Sequence, residues 1–155
     1  MLVVVVSGLF VVMQFIRPER SNPPVDPARA LEAHVAVPDE VARILERSCQ
    51  DCHTHKTRWP WYSQVAPGSW LLARDVSQAR DELNFSEWDN YDEESAAEQL
   101  EEICEQVKVG EMPLRPYTWL HPGAKLSSAD VEKLCAWTER AGHEISSRAA
   151  GRARH

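Results

Sequence analysis

Cys49-Gln50-Asp51-Cys52-His53 is the stretch whose residue types and spacing carry the most chemistry. Two thiols three positions apart, followed at once by an imidazole, match what covalent attachment of a haem requires. Each sulfur can add to one porphyrin vinyl group, and His53 then falls beneath the ring, where a nitrogen can ligate the iron. Two other chemistries use the same residue types, a zinc site built on Cys49, Cys52 and a histidine, and a redox-active Cys-x-x-Cys. Zinc would want a second closely spaced cysteine pair, and a thioredoxin-like site would want a βαβ pattern around it. The sequence offers neither, so one covalently held haem is the expected cofactor.

An iron held from one side by His53 needs a partner on the other. Met112, in Gly110-Glu111-Met112-Pro113-Leu114, is the first candidate: Gly110 suits a helix C-cap, and Pro113 stiffens the chain that follows the thioether. His121 comes next and His55 behind it. His55 lies too close to His53 in sequence to reach the opposite ring face easily, and His121 precedes Pro122-Gly123 and reads as a turn residue. The aromatic segment with Thr57, Trp59, Pro60, Trp61 and Tyr62 reads as a loop. Trp59 and Trp61 are candidates to wall off the ring and turn an N–H toward a propionate; ordinary core packing is the alternative for each. A turn near Pro67 is expected to offer a carbonyl to the far nitrogen of His53. With His53 and Met112 both bound, the iron would have no open position. That favours electron transfer over catalysis, whereas a displaceable Met112 would favour a haem sensor or a peroxidase-like protein.

These groups must be positioned by a small chain. Its 155 residues, ten of them proline, leave room for one domain, and the formal charge of −7 with no basic cluster before the C-terminus argues against nucleic acid as a partner. Pro38, Asp39 and Glu40 suit a helix start, after which Val41, Ile44, Leu45 and Ser48 fall on one face and deliver the cysteines to a common side. A second helix is predicted over 69–83, with Trp70, Leu71 and Val76 inward. Between Asp81 and Gln106 there are eleven acidic residues and no basic one, yet Leu100, Ile103, Cys104 and Val107 keep a helical stripe. The acidic outer face is either a plain solvated surface or a docking patch for a basic redox partner. Ser127 and Asp130 resemble a capping box opening a last helix with Val131, Leu134 and Cys135 on one face. Cys104 and Cys135 are then either a disulfide between two helices or two buried thiols.

At the N-terminus, residues 1–16 form an apolar run that reads as a membrane anchor or export signal. Arg17 and Arg20 behind it would by themselves place the rest in the cytoplasm, but haem attachment to this motif occurs outside the bacterial cytoplasm. The expectation is therefore a start assigned too late, with upstream basic residues missing, and a domain facing the periplasm from the inner membrane. Residues 17–37, with Pro23, Pro24 and Pro27, are expected to be an extended tether. Residues 38–142 would form the haem domain and 143–155 a disordered tail.

Several stretches taken jointly are more specific than the pentapeptide: Thr57-Arg58-Trp59-Pro60-Trp61-Tyr62-Ser63, Val65-Ala66-Pro67-Gly68-Ser69-Trp70, Leu83-Asn84-Phe85-Ser86-Glu87-Trp88 and the Met112 segment, with Tyr117, Leu120-His121-Pro122, Leu126-Ser127 and Trp137 after them. Together with the Cys49–His53 motif they resemble the cytochrome-c-like haem-binding domain family of bacterial exported or membrane-anchored proteins, over about residues 38–140. The resemblance implies haem attachment at Cys49 and Cys52, proximal ligation by His53 and, less directly, distal ligation by Met112. The expected architecture is an all-α, class I cytochrome c-like domain around one haem c. Its expected partners are redox proteins, such as a haem peroxidase or a membrane electron-transfer complex.

Overall fold

The computed structural model describes residues 1–152. Eight α-helices follow one another: α1 (Leu2–Met13), α2 (Leu31–His34), α3 (Asp39–Ser48), α4 (Gln50–His53), α5 (Gly68–Glu82), α6 (Glu93–Val109), α7 (Arg115–Leu120) and α8 (Ser128–Arg152). Three 3-10 turns, Trp61–Gln64, Phe85–Asn90 and Pro122–Ala124, join them, and no strand occurs among the described residues. The all-α expectation holds at that level.

The core forms where α3, α6 and α8 lay their apolar stripes together. Val41, Ile44, Leu45 and Ser48 are the buried face of α3, as their spacing predicts. From α6 come Ala96, Leu100, Ile103 and Val107, and from α8 Leu134, Trp137, Ala141 and Ile145. Leu100 and Leu134 have no exposed surface. The Trp137 indole N–H is satisfied by the Ala36 carbonyl at 2.9 Å, so its ring is buried without an orphaned donor. Of the two options for Cys104 and Cys135, the structure has the disulfide, which ties α6 to α8. Gly110 ends α6 at φ 75°, a backbone conformation in which a Cβ would be strained, and the Gly110, Glu111 and Met112 amides all turn back to the Gln106 carbonyl.

Three parts of the chain depart from expectation. The segment 17–37 is not a free tether: Leu31 is 1% exposed and Val35 is also buried, and both belong to the core. Prolines remove N–H groups and forbid helix, but every carbonyl remains an acceptor. The Arg80 guanidinium donates to Ser21 O (3.0 Å) and Asn22 Oδ1 (3.1 Å), Asn22 donates to Thr57 O (2.8 Å), and Arg29 forks onto Asp89 at 2.9 and 3.0 Å. The residues after Gly142 were expected to be disordered, yet α8 runs on to Arg152 with Ile145 buried; residues 153–155 lie outside the described part. Once a helix is nucleated, adding residues costs little, so Gly142 weakens it without stopping it. On α5 the inward residues are Val76 and Ala79, whereas Leu71 is 57% exposed and Trp70 half-buried. As for the N-terminal run, α1 buries no residue, and no helix among the described residues is long and apolar enough to cross a membrane.

The capping box forms: the Ser127 amide and hydroxyl donate to Asp130 Oδ2 at 2.9 and 2.7 Å, and the Asp130 amide donates back to Ser127 Oγ. Arg47 of α3 adds an ion pair at 2.6 Å. The Ser127 backbone and side-chain donors, then Arg47, hold the Asp130 carboxyl down at about 2. A depressed carboxyl stabilises the fold above the unfolded value near pH ~4 and loses that contribution as pH falls toward its folded value. Asp130→Ala should cost about 1 kcal/mol at neutral pH, modest because water screens this surface site. In denaturant titrations the gap to wild type should close between pH ~4 and ~2. Ile145→Ala should cost about 2–5 kcal/mol in the same assay at neutral pH, whereas a disordered tail would give no change.

Candidate functional site

α3 ends at Cys49, whose φ −123° and ψ −37° break the helix for one residue before α4 begins. The Cys52 and His53 amides both donate to the Cys49 carbonyl, at 3.1 and 3.0 Å, so the motif is wound into a single tight turn. That turn faces a cleft with two lobes, of about 410 and 260 Å³. Cys49, Phe85, Ile103 and Val107 line the larger lobe; Ser48, Cys52, Ala79 and Tyr117 line the smaller. His53, Glu82 and Met112 line both, and so stand where the lobes meet.

His53 is oriented by a carbonyl, though not the expected one. Its Nδ1 donates to Leu83 O at 2.9 Å, at the C-cap of α5, while Pro67 is exposed and lines neither lobe. The reason is topological: Pro67 begins α5 and Leu83 ends it, and it is the end of a helix that leaves carbonyls without intrahelical donors. Burial pushes the His53 imidazole below its ordinary value, against the opposing pull of the Leu83 and Ala79 carbonyls and Glu82. With Nδ1 committed as donor and the ring neutral, Nε2 is the ligating atom available.

Both motif thiols are free. Burial pushes Cys49 up to about 12 and Cys52 up to about 11, with a neighbouring thiol or carboxylate adding to the effect. A redox-active Cys-x-x-Cys works through a thiol lowered below its ordinary value, so these thiols have the wrong electrostatics for it. Nor does any group of three or more His, Cys, Asp or Glu among the described residues come together as a metal cluster, which removes the ligand set a zinc site would need. Two thiols, an imidazole nitrogen and a thioether around one largely apolar cleft do suit a haem. The cleft is of the size of small-molecule sites, ~300–1,000 Å³. Ser48 Oγ, on its wall, and the Trp59 indole N–H are buried with no hydrogen-bond partner in the protein.

The remaining sequence candidates fall elsewhere. Trp61 is 78% exposed and, like Trp59, lines neither lobe, so no wall is built from these two rings. His55 is a buried structural residue. Asn84 is oriented by accepting from the Ser86 amide and donating to Glu87, so its amide also donates to His55 Nε2 at 3.0 Å, leaving His55 Nδ1–H to donate to Pro24 O at 3.4 Å. His121 stacks on Tyr117 at 4.2 Å and lines neither lobe. Of the three candidates for a second ligand, only Met112 reaches the cleft.

This chain belongs to the haem-binding domain family. The family's model matches residues 8–140, so the match takes in the motif, the cleft and most of the helical core. No curated protein and no solved structure matches the chain.

One pair that composition and periodicity did not single out bridges the two sides of the site. The Tyr117 hydroxyl donates to Asp51 Oδ2 at 2.8 Å, and Asp51 Oδ1 accepts from the Arg58 amide and Nε, both at 3.1 Å. Burial, then the Asp51 carboxylate, raises the Tyr117 phenol well above its ordinary value, so it stays a donor. Asp51 sits between the two cysteines and Tyr117 just past Met112, so the bond fastens the Met112 loop to the attachment turn. A double-mutant cycle of Tyr117→Phe and Asp51→Asn, read by denaturant unfolding, should give a coupling of about 1–2 kcal/mol; a coupling near zero would mean the bond does not hold these segments together.

Proposed function

We propose that this protein is a single-haem c-type cytochrome that passes electrons between redox proteins and is not itself an enzyme. Cys49 and Cys52 would carry the haem through two thioether bonds, each thiol adding across a vinyl group with its hydrogen going to the other vinyl carbon. His53 would ligate the iron through Nε2, with Met112 as the opposite ligand. The observation that carries this is the shared lining: His53 and Met112 stand together between two lobes, one holding Cys49 and the other Cys52. When bound, the haem supplies a one-electron ferric/ferrous couple, with a potential raised by thioether ligation.

The chain's own groups do the rest. Leu83 O keeps the His53 ring turned and its Nδ1 proton in place. Phe85, Ile103 and Val107 line the larger lobe and would keep water from a bound ring, and the cap at Gly110 brings Met112 back over the end of α6. Packing of α3 against α8 supports a class I-like arrangement. The acidic face of α6 would steer a basic redox partner, such as a haem peroxidase or a subunit of a membrane complex. The apolar α1 would attach the chain to the bacterial inner membrane, with the haem domain on the periplasmic side. The Cys104–Cys135 disulfide supports an oxidising compartment.

Met112→Ala should leave the haem attached, abolish the weak far-red band of thioether-ligated ferric iron, and admit cyanide or imidazole. A wild-type protein that is already high-spin and reacts with peroxide would instead favour a sensor or peroxidase. Cys49→Ala with Cys52→Ala should yield protein whose haem, if any, extracts into acidified acetone; haem that still resists extraction would overturn the attachment.

A further inference from the structure

Outside residues 1–16, the large apolar side chains exposed among the described residues are Trp61, Val65, Leu71, Val109, Trp119 and Leu120. Trp61, Val65 and Leu71 lie on segments bonded to the residues at the foot of α1, and Trp119 and Leu120 lie on α7 beside them. Gln14, just past α1, grips Ala66 from both sides: its Oε1 accepts the Ala66 amide at 2.9 Å and its Nε2 donates to Ala66 O at 3.3 Å. The Trp70 indole donates to Ile16 O at 2.7 Å, and Arg20 donates to Ser63 O. On the other side, the Tyr62 ring lies 6.0 Å from His121, which brings Trp61 next to the end of α7 that bears Trp119 and Leu120. The two exposed tryptophans, each 78% accessible, thus belong to neighbouring segments, one of which is bonded to the foot of the apolar helix.

We propose that this face lies against the surface of the lipid bilayer, so that the haem domain is seated on the membrane and not held away from it. The inference rests on α1 being the membrane-attached segment, and it adds a second contact made by the domain itself. Tryptophan is suited to that position, with a large apolar ring and one N–H for the headgroup layer. Arg17 and Arg115, both exposed, are placed to reach anionic headgroups. Seven of the eleven acidic residues between Asp81 and Gln106, which an anionic bilayer would repel, belong to α6 and its cap, on a different part of the fold: α6 packs on α8, whereas the Trp61–Gln64 turn packs on α5, where Asp81 and Glu82 fall at the far end from Leu71. A tether of free prolines could not fix such an orientation, but 17–37 is bonded to the domain through Arg80, Thr57 and Asp89.

The test is photolabelling of the full-length holoprotein in vesicles of phosphatidylethanolamine and phosphatidylglycerol that contain a lipid with a diazirine next to its glycerol. Peptide mapping should find lipid adducts at 61–65 and 119–120 as well as within 1–16. Leu71→Glu with Trp119→Glu should lose the adducts outside 1–16 and keep the haem spectrum unchanged. Adducts confined to 1–16 would overturn this proposal and leave the anchor intact, whereas no adducts anywhere would overturn both. Displacement of the lipid from 61–65 and 119–120 by an added basic redox protein would make the face a protein-docking surface and also overturn it.

Discussion

The bond from His53 Nδ1 to the Leu83 carbonyl is the constraint on which the site depends. An imidazole can turn about two bonds, and a neutral ring can carry its proton on either nitrogen. One hydrogen bond at Nδ1 removes both freedoms and leaves Nε2 pointing into the cleft. The acceptor is the C-cap of α5, where unsatisfied carbonyls gather the negative end of the helix dipole. A fifteen-residue helix is thus spent on aiming a partial negative charge at one ring nitrogen, which makes the other a better donor. Anything that moved the end of α5 would loosen the ring even if the motif itself were untouched.

The end of α5 is in turn held by polar contacts more than by apolar ones. Arg80, on its last turn, donates to Thr54 O at 2.9 Å and Thr57 Oγ1 at 2.8 Å, so the guanidinium clasps the chain just after His53. The same group reaches Ser21 and Asn22 on the N-terminal strap. Asn84, next to Leu83, is buried, its side chain is engaged with His55, Ser86 and Glu87, and its backbone N–H donates to the Tyr91 hydroxyl. Buried polar groups left without partners are costly, so a network with every member satisfied tolerates few alternative arrangements. The apolar core, by contrast, is built from α3, α6 and α8, and both Cys49 and Met112 pack against it. The motif turn and the Met112 loop therefore share that core, and the Tyr117–Asp51 bond adds a polar link between them.

The parts legible in the sequence were those governed by short-range rules. Helical spacing gave the buried face of α3 in full, the capping box at Ser127 formed, and a glycine after a helical run proved to be a left-handed cap. The motif residues and Met112, singled out by residue type and spacing, line one cleft. What escaped was whatever depended on long-range partners. Leu83 acts through its backbone carbonyl, which no side-chain pattern reveals. Residues 17–37 looked like a tether because prolines and polar side chains are poor helix formers, but their carbonyls find donors such as Arg80 and His55 that are far away in sequence. Trp59 and Trp61 looked like cofactor walls because aromatic density marks apolar surroundings without saying which. Here the cleft is lined instead by Phe85, to which no role was given, and by Ile103 and Val107, whose periodicity said only that they were buried.

α6 shows how one helix can serve several demands through different faces. Its inward stripe builds the core and, at Ile103 and Val107, the wall of the larger lobe, while Gln99, Glu102 and Gln106 form the polar edge of that lobe. Cys104 fastens the helix to α8 within the same turn as Ile103, so the wall is locked close to where it borders the cleft. The outer face carries the acidic charge. Because the charge and the cleft edge belong to one rigid element, a cation drawn to α6 would arrive within a turn of the larger lobe. Electrostatic attraction of this kind acts mainly on encounter and orientation, and it needs no preformed socket. A helix whose inner face shields a cofactor cleft and whose outer face gathers charge therefore couples insulation of the site to access along its edge.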